Sequence, residues 1–282
     1  MNQTTLAIPV PYSLRNEVIT GDSFFQQMRE RGLSVATTRP IYSDPDVVRQ
    51  SWLLCPNGAT YTDTTFYHLF SKTAFRRLLR VLLSQRPCLK ASMHALFPND
   101  ADWHTIQTFL QDQELLREDQ DRWKRGARCF GIRDLGHTLE WYIAEWFRRN
   151  PHFDHLVPVR HGVTCYRGYE RGDLDIVALL DHLTLTIECK STSHVSTQEL
   201  SAFLQRASIF QPAIALLLID TSQSTLDGII DRLNTLLSRQ GTHSFLETVA
   251  TAPGVYWNGE HIYVTSIPES LDTSLTHILR IV

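Results

Sequence analysis

Two neighbouring stretches of this chain hold residue types that can do chemistry together. They are Gly172-Asp173-Leu174-Asp175-Ile176-Val177 and Thr186-Ile187-Glu188-Cys189-Lys190-Ser191. Upstream lies Gly136-His137-Thr138-Leu139-Glu140. In chain order they supply Glu, then Asp, then Glu-x-Lys. Carboxylate oxygens are the ligands that hard divalent cations select. A lysine two residues beyond a carboxylate on a strand shares its face. Such a lysine can reach the water or phosphate that the cation holds. This set suits phosphodiester hydrolysis assisted by Mg²⁺ or Mn²⁺.

The elements around these residues decide whether they can meet. Leu183, Leu185, Ile187 and Cys189 alternate with Thr184, Thr186, Glu188 and Lys190, the signature of a strand with one buried face. Asp173 and Asp175 share a face of the preceding strand, Asp173–Leu180. A tight turn at Asp181-His182 would pair the two strands and bring Asp175 and Glu188 within reach of one cation. Glu140 has Gly136 and Ala144 four residues to either side. That small-residue stripe would let its helix approach the sheet closely. The plainer alternative makes Glu188 and Lys190 the solvated face of an edge strand. The apolar run Ile176-Val177-Ala178-Leu179-Leu180 argues against an edge.

Periodicity from residue 134 onward predicts a helix (Asp134 to Asn150), a strand near Leu156–Val159, and then the strand pair. A helix (Ser196–Phe210), a strand (Ala213–Ile219) and a helix (Leu226–Gln240, stopped by Gly241) follow. Asn258-Gly259 closes a final hairpin.

Earlier segments are less regular. Asp22-Ser23 can cap a helix through Arg31 with Gly32 as its stop, and Asn57-Gly58 marks a turn between two strands. Phe75, Leu78, Leu79 and Leu82 recur at helical spacing, with Arg76, Arg77 and Arg80 off that stripe. Short helices over Leu89–Phe97 and after Asn99 or Asp100 come next, then a hairpin around Asp119-Gln120-Asp121.

Composition fits a globular chain: 282 residues, 43 % hydrophobic and 20 % charged. The net charge of −3 excludes a polycation, but Lys72 to Lys90 carries six basic residues and no acid. A local basic face of this kind can bind phosphate. Five scattered cysteines without a CxxC pair indicate neither a zinc knuckle nor a disulfide framework. They read as buried thiols in a reducing cytoplasm. The N-terminus is a poor signal peptide and no apolar run spans a membrane. His152 and His155 stand in a loop context rather than a zinc helix. The chain lacks HExxH, GxSxG, GxxxxGK[ST] and GxGxxG, which argues against ATP dependence.

The motif and its context resemble the PD-(D/E)XK nuclease superfamily, the fold of many restriction endonucleases. The GxxxE, GxLD and apolar-ECKS pattern is most similar to the nuclease domains of CRISPR-associated ancillary nucleases. The resemblance covers about a third of the chain. It implies an α/β fold whose αβββαβ core, a mixed sheet flanked by helices, spans roughly residues 134 to 220 within a nuclease domain 131–282 that ends in a C-terminal extension. It also implies a metal-dependent endonuclease acting on DNA in a defence, mobile-element or CRISPR context. On this reading Asp175, Glu188 and the Cys189 carbonyl hold Mg²⁺ or Mn²⁺, Lys190 positions water, and Glu140 is the helix glutamate. Asp173 is secondary.

The order of elements over 66–130 resembles a winged-helix domain, preceded by a segment 1–65 of unclear fold. Arg122, Lys124 and Arg125 on the wing, with Arg76, Arg77 and Arg80, would contact phosphates. Gln205 and Arg206 would touch the nucleic-acid backbone from the helix after the motif. The alternatives are a winged helix used for packing, an RNA or single-strand nuclease of the same fold, and a non-catalytic DNA-binding scaffold. Cutting both strands implies a homodimer or recruitment by a partner protein.

Overall fold

The computed structural model describes residues 21–39, 64–84, 88–97, 99–129, 132, 134–150, 157–180, 183–192, 194–220, 223–241, 243–267, 272, 275, 276 and 278. The expected Asn57-Gly58 turn, the His152–His155 pair and the Asp181-His182 turn lie outside these residues.

Helix α1 (Gly21–Glu30) ends at Gly32, whose φ of 74° is the left-handed stop expected of it. Strand β1 (Ser34–Thr37) follows. Then come α2 (Thr64–Ser71), α3 (Thr73–Leu83), β2 (Cys88–Leu89), α4 (Lys90–His94), α5 (Asp100–Asp112), β3 (Leu116–Asp119) and β4 (Arg122–Arg125). The second half is α6 (Gly136–Arg149), β5 (Val159–Arg167), β6 (Glu170–Leu180), β7 (Leu183–Lys190), α7 (Thr197–Phe210) and β8 (Ile214–Ile219). It closes with α8 (Gln223–Arg239), β9 (Glu247–Thr248), β10 (Val255–Trp257) and β11 (Ile262–Ser266).

The protein is a mixed α/β fold. Among the described residues its large sheet runs β1-β5-β6-β7-β8-β11-β10-β9. The β5–β6 and β6–β7 pairs are antiparallel, whereas β8 pairs in parallel with both β7 and β11. The run α6-β5-β6-β7-α7-β8 therefore has the order αβββαβ. Strand β8 shows why its sequence is apolar throughout. Ile214, Leu216 and Leu218 face the core shared with α6, while Ala215, Leu217 and Ile219 face α7 and α8. A central strand covered on both sides cannot alternate in polarity.

Two local readings need correction. Strand β5 covers Val159–Arg167, beyond the expected Leu156–Val159. Its polar start, Arg160-His161-Gly162, hid it, yet Arg160 and His161 are buried. Arg160 lies over the Phe24 ring of α1 at 5.3 Å, which explains how a cation is tolerated there. Helix α2 carries no clear periodic signal in its short sequence, and it straddles the expected boundary near residue 65.

The three-stranded sheet β2-β4-β3 packs with α3, α4 and α5. One apolar cluster continues from Phe66, Leu78 and Trp123 through Cys129 and Ile132 to Tyr142, Ile176 and Leu216. The expected boundary near residue 130 is therefore crossed by shared core. Helix α6 is buried from Thr138 to Phe147 because it lies between the sheet and α2. Tyr142 stacks on Tyr67, with ring centroids 4.6 Å apart. Trp141 and Trp146 are both core residues. No helix among the described residues is long and apolar enough to cross a membrane.

Candidate active site

The β6–β7 ladder runs from Leu180↔Leu183 to Ile176↔Ile187. One more step in the same register sets Asp175 opposite Glu188. There the Asp175 Oδ2 atom accepts from the Cys189 backbone N–H at 2.8 Å. The carboxylate thus occupies the place of a ladder partner at the end of the pair. Gly172 of the GDLD stretch is a packing requirement. A Cβ there would lie 2.2 Å from the Phe210 ring of α7.

Glu188 is buried at the end of the sheet, and both of its oxygens are engaged. Lys190 Nζ lies 3.1 Å from Oε1, and an Arg206 guanidinium nitrogen lies 2.6 Å from Oε2. Lys190 also reaches Glu199 Oε1 at 3.2 Å. Burial alone would lower the lysine pKa, but Glu188 and Glu199 more than offset this and the net shift is upward. Lys190 is accordingly held as a cation. Glu199 sits in a capping box with Ser196 at the start of α7. The Ser196 backbone N–H, more than Lys190, pulls Glu199 down to about 2.

Glu140 enters from α6. Burial and then the Asp175 charge push it up to about 8, against the pull of Arg39. Asp175 itself is pushed up to about 6 by burial and by Glu188, with the Cys189 N–H opposing. The two carboxyls therefore lie close enough to disfavour each other's charge in a site that burial already makes costly for an anion. Arg39, just past β1, donates to Glu140 Oε2 at 2.7 Å. The Cys189 thiol is buried in the core and pushed well above its usual range. Asp173, by contrast, is exposed and accepts from the Thr164 hydroxyl at 2.7 Å, away from the cluster.

Several expected nucleic-acid contacts sit elsewhere. Arg76 is fully buried. It donates to Asp220 at 2.7 Å and to the carbonyls of Phe70 and Ser71 at 2.8 and 2.6 Å. Arg80 pairs with the same Asp220 and donates to the Ser191 carbonyl at 2.8 Å. Asp220 in turn donates its backbone N–H to the Lys190 carbonyl at 2.8 Å. Arg76 thus has no surface to offer a phosphate, and Arg80 is drawn inward. The buried carboxylate at the end of β8 recruits both. Together they pin the end of β7.

Arg77 remains exposed. On the hairpin, Lys124 pairs with Asp119, Arg122 lies 3.8 Å from Asp121, and Lys90 pairs with Glu118. Interleaved acids make the hairpin nearly neutral rather than a basic wing. Arg125 on β4 is half-buried. Gln205 is exposed on α7, and its neighbour Arg206 points at Glu188.

Three residues of the site were not anticipated. The capping box makes Glu199 visible as a helix start, but not as a partner of Lys190. Asp220 follows an apolar strand without any local signal. Arg39 lies 101 residues from Glu140 in sequence, and nothing near it marks the pairing. Among the described residues no group of three or more His, Cys, Asp or Glu side chains is arranged to hold a metal ion. Each carboxylate is turned to a different protein donor: Cys189, Arg39, or Lys190 with Arg206.

No family model matches the chain, and no curated protein matches it in sequence. Among solved structures it is similar to Can2 from Sulfobacillus thermosulfidooxidans in complex with cyclic tetra-adenylate. The identity is 14 % and the TM-score 0.43, covering 92 % of this chain and 59 % of that one. It is also similar to the protein VC1899 from Vibrio cholerae, at 13 % identity and a TM-score of 0.47. There the coverage is 91 % of this chain and 60 % of that one. The chain spans about three fifths of the length of either structure. The likeness is too distant to carry an argument about activity.

Proposed function

We propose that this protein is a metal-dependent nuclease of the PD-(D/E)XK type that hydrolyses DNA phosphodiesters. One observation carries the reading. The β6–β7 register, extended one step, sets Asp175 opposite Glu188, Lys190 lies two residues on, and Glu140 on the preceding helix feels the Asp175 charge. The donor chemistry fits a hard divalent cation, because the carboxyls are oxygen ligands whose mutual repulsion a cation would relieve. Asp175, Glu188 and the Cys189 carbonyl would hold it, with Glu140 beside them. When bound, a divalent cation lowers the pKa of its water and offsets phosphate charge.

The chain's own residues do the rest. Lys190, kept protonated by Glu188 and Glu199, can donate to a non-bridging phosphate oxygen or orient the attacking water. Arg206 and Lys190 both contact Glu188 and hold its oxygens at the end of the strand pair, where a cation could be bound. The burial of Glu188 and Glu140 strengthens the interactions these two carboxylates make. Exposed Arg77 and Arg122 are the remaining candidates for phosphate contact outside the site. A single site cuts one strand, so a double-strand cut needs two copies or a partner.

A non-catalytic scaffold is the second reading, favoured by the protein donor already present on each carboxylate. The upward shifts of Glu140 and Asp175, caused first by burial and then by a neighbouring carboxylate, weigh against it, because perturbed acids crowded together are commoner at functional sites than in structural clusters. The test is incubation with supercoiled plasmid, single-stranded DNA and RNA, in Mg²⁺ or Mn²⁺ and in excess EDTA. Cleavage of DNA only with metal is expected. Cleavage that persists unchanged in EDTA would contradict the reading.

A further inference from the structure

Arg39 reaches the site by a route built for it. Its backbone N–H donates to the His161 carbonyl at 3.0 Å, which anchors its Cα beside β5. Its side chain then crosses Gly162. A Cβ at that glycine would lie 2.5 Å from Arg39 Cγ and 2.8 Å from both Cδ and Nε. No side-chain-bearing residue leaves that channel open, and the φ of 55° at Gly162 also favours glycine. The guanidinium ends on Glu140, 2.7 Å away.

The two partners differ in freedom. The Arg39 side chain is 35 % exposed and that of Glu140 only 8 %. Arg39 is the partner that can move into water, but its departure would strand a buried carboxylate, so the exchange requires another cation to take its place. Glu140 cannot leave, because α6 is packed on both sides. Glu188 is different again: it holds two cations, so losing one still leaves it neutralised. Glu140 is thus the carboxylate whose compensation is most easily exchanged.

We propose that Arg39 is a positioning residue that stands in for the divalent cation at Glu140 and is displaced when the cation binds. The inference rests on the nuclease reading above and adds to it the device that keeps the cation-free site in place. In the resting protein the guanidinium holds Glu140 where a cation would need it.

The test is Mg²⁺ binding by titration calorimetry on the full chain at pH 8.5, where protons compete less for Glu140. Wild type, Arg39→Gln, Glu140→Gln and the double variant are compared, with thermal melts as a check on folding. Arg39→Gln should bind Mg²⁺ roughly tenfold more tightly, because it removes both a competitor and a like charge. In the Glu140→Gln background the same change should alter affinity by less than about twofold, since the pair is already broken. Arg39→Lys, with the charge on a shorter stem, should fall between wild type and Arg39→Gln. Unchanged or weaker binding in Arg39→Gln overturns the exchange while leaving the nuclease reading intact. An equal gain with and without Glu140 also overturns it, as that outcome reflects long-range charge alone. Absence of Mg²⁺ binding from every variant overturns the nuclease reading and this inference together.

Discussion

Two ionic clusters sit a few residues apart at one end of the sheet, and they are built on opposite principles. Around Asp220 a single carboxylate is matched by two arginines, and Arg76 spends its donors on Asp220, Phe70, Ser71 and Thr73. The cluster is buried, satisfied and shared between α3 and β8. Around Asp175 the bookkeeping does not close. Lys190 and Arg206 contact Glu188 and Arg39 contacts Glu140, yet burial and the neighbouring carboxylates still displace Glu140 and Asp175 upward. The same side-chain types make a clamp in one place and a crowded acidic site in the other. The difference lies in how many carboxylates share the cations: one in the clamp, and Glu140, Asp175 and Glu188 together in the site.

The largest expected effect breaks the clamp. Arg76→Ala leaves Asp220 buried beside Arg80 alone and should cost about 3–5 kcal/mol in urea unfolding, the usual penalty for removing one partner of a buried pair. Arg80→Ala should cost less, because that side chain is 29 % exposed. Equal or negligible losses would mean that Asp220 is not the joint between the helical region and the sheet.

The next effect reads the crowded acidic site through pH. Folding raises Glu140 from 4.5 to about 8 and Asp175 from 3.8 to about 6. Between these limits the folded chain holds more protons than the unfolded one. Stability contributed by these groups is therefore present at low pH and lost as pH rises through the folded values. In EDTA the unfolding free energy should fall by on the order of 3 kcal/mol from pH 5 to 8.5. Glu140→Gln should flatten the upper part of that slope. A wild-type profile that rises over this range would show the site to be as satisfied as the clamp.

The smallest effect concerns the hairpin. Its cations are interleaved with Glu118, Asp119 and Asp121. Reversing Arg122 should change the salt slope of DNA binding by about one phosphate contact at most. A larger change would restore the basic wing as a principal contact surface.

What was legible in the sequence follows from how local each signal is. Strict alternation placed β7 at Leu183–Lys190, and with it Glu188 and Lys190 on one face. The Asn258-Gly259 hairpin and the helices after residue 134 were equally local. Strand β5 was hidden because a buried arginine and histidine lie at its start, and the ring that receives the arginine, Phe24, is far away in sequence. The arginines of α3 read as a basic surface because Asp220, their partner, lies 144 residues away from Arg76. Arg39 was invisible for the same reason. Residue type and period reveal which face a side chain takes. They do not reveal which distant charge that face will meet.

The most direct test of the central claim pairs cleavage with binding on one DNA substrate. Asp175→Asn removes an acidic cation ligand and Lys190→Ala removes the charge beside it. Charge stabilisation of this kind is worth roughly 10²–10³-fold in rate per group. Both variants should therefore lose at least that much Mg²⁺-dependent cleavage while keeping DNA affinity within a few-fold in Ca²⁺, since neither removes an outer phosphate contact. If Lys190→Ala and Asp175→Asn cut at the parental rate, the cluster at the end of β6 and β7 is not the active site.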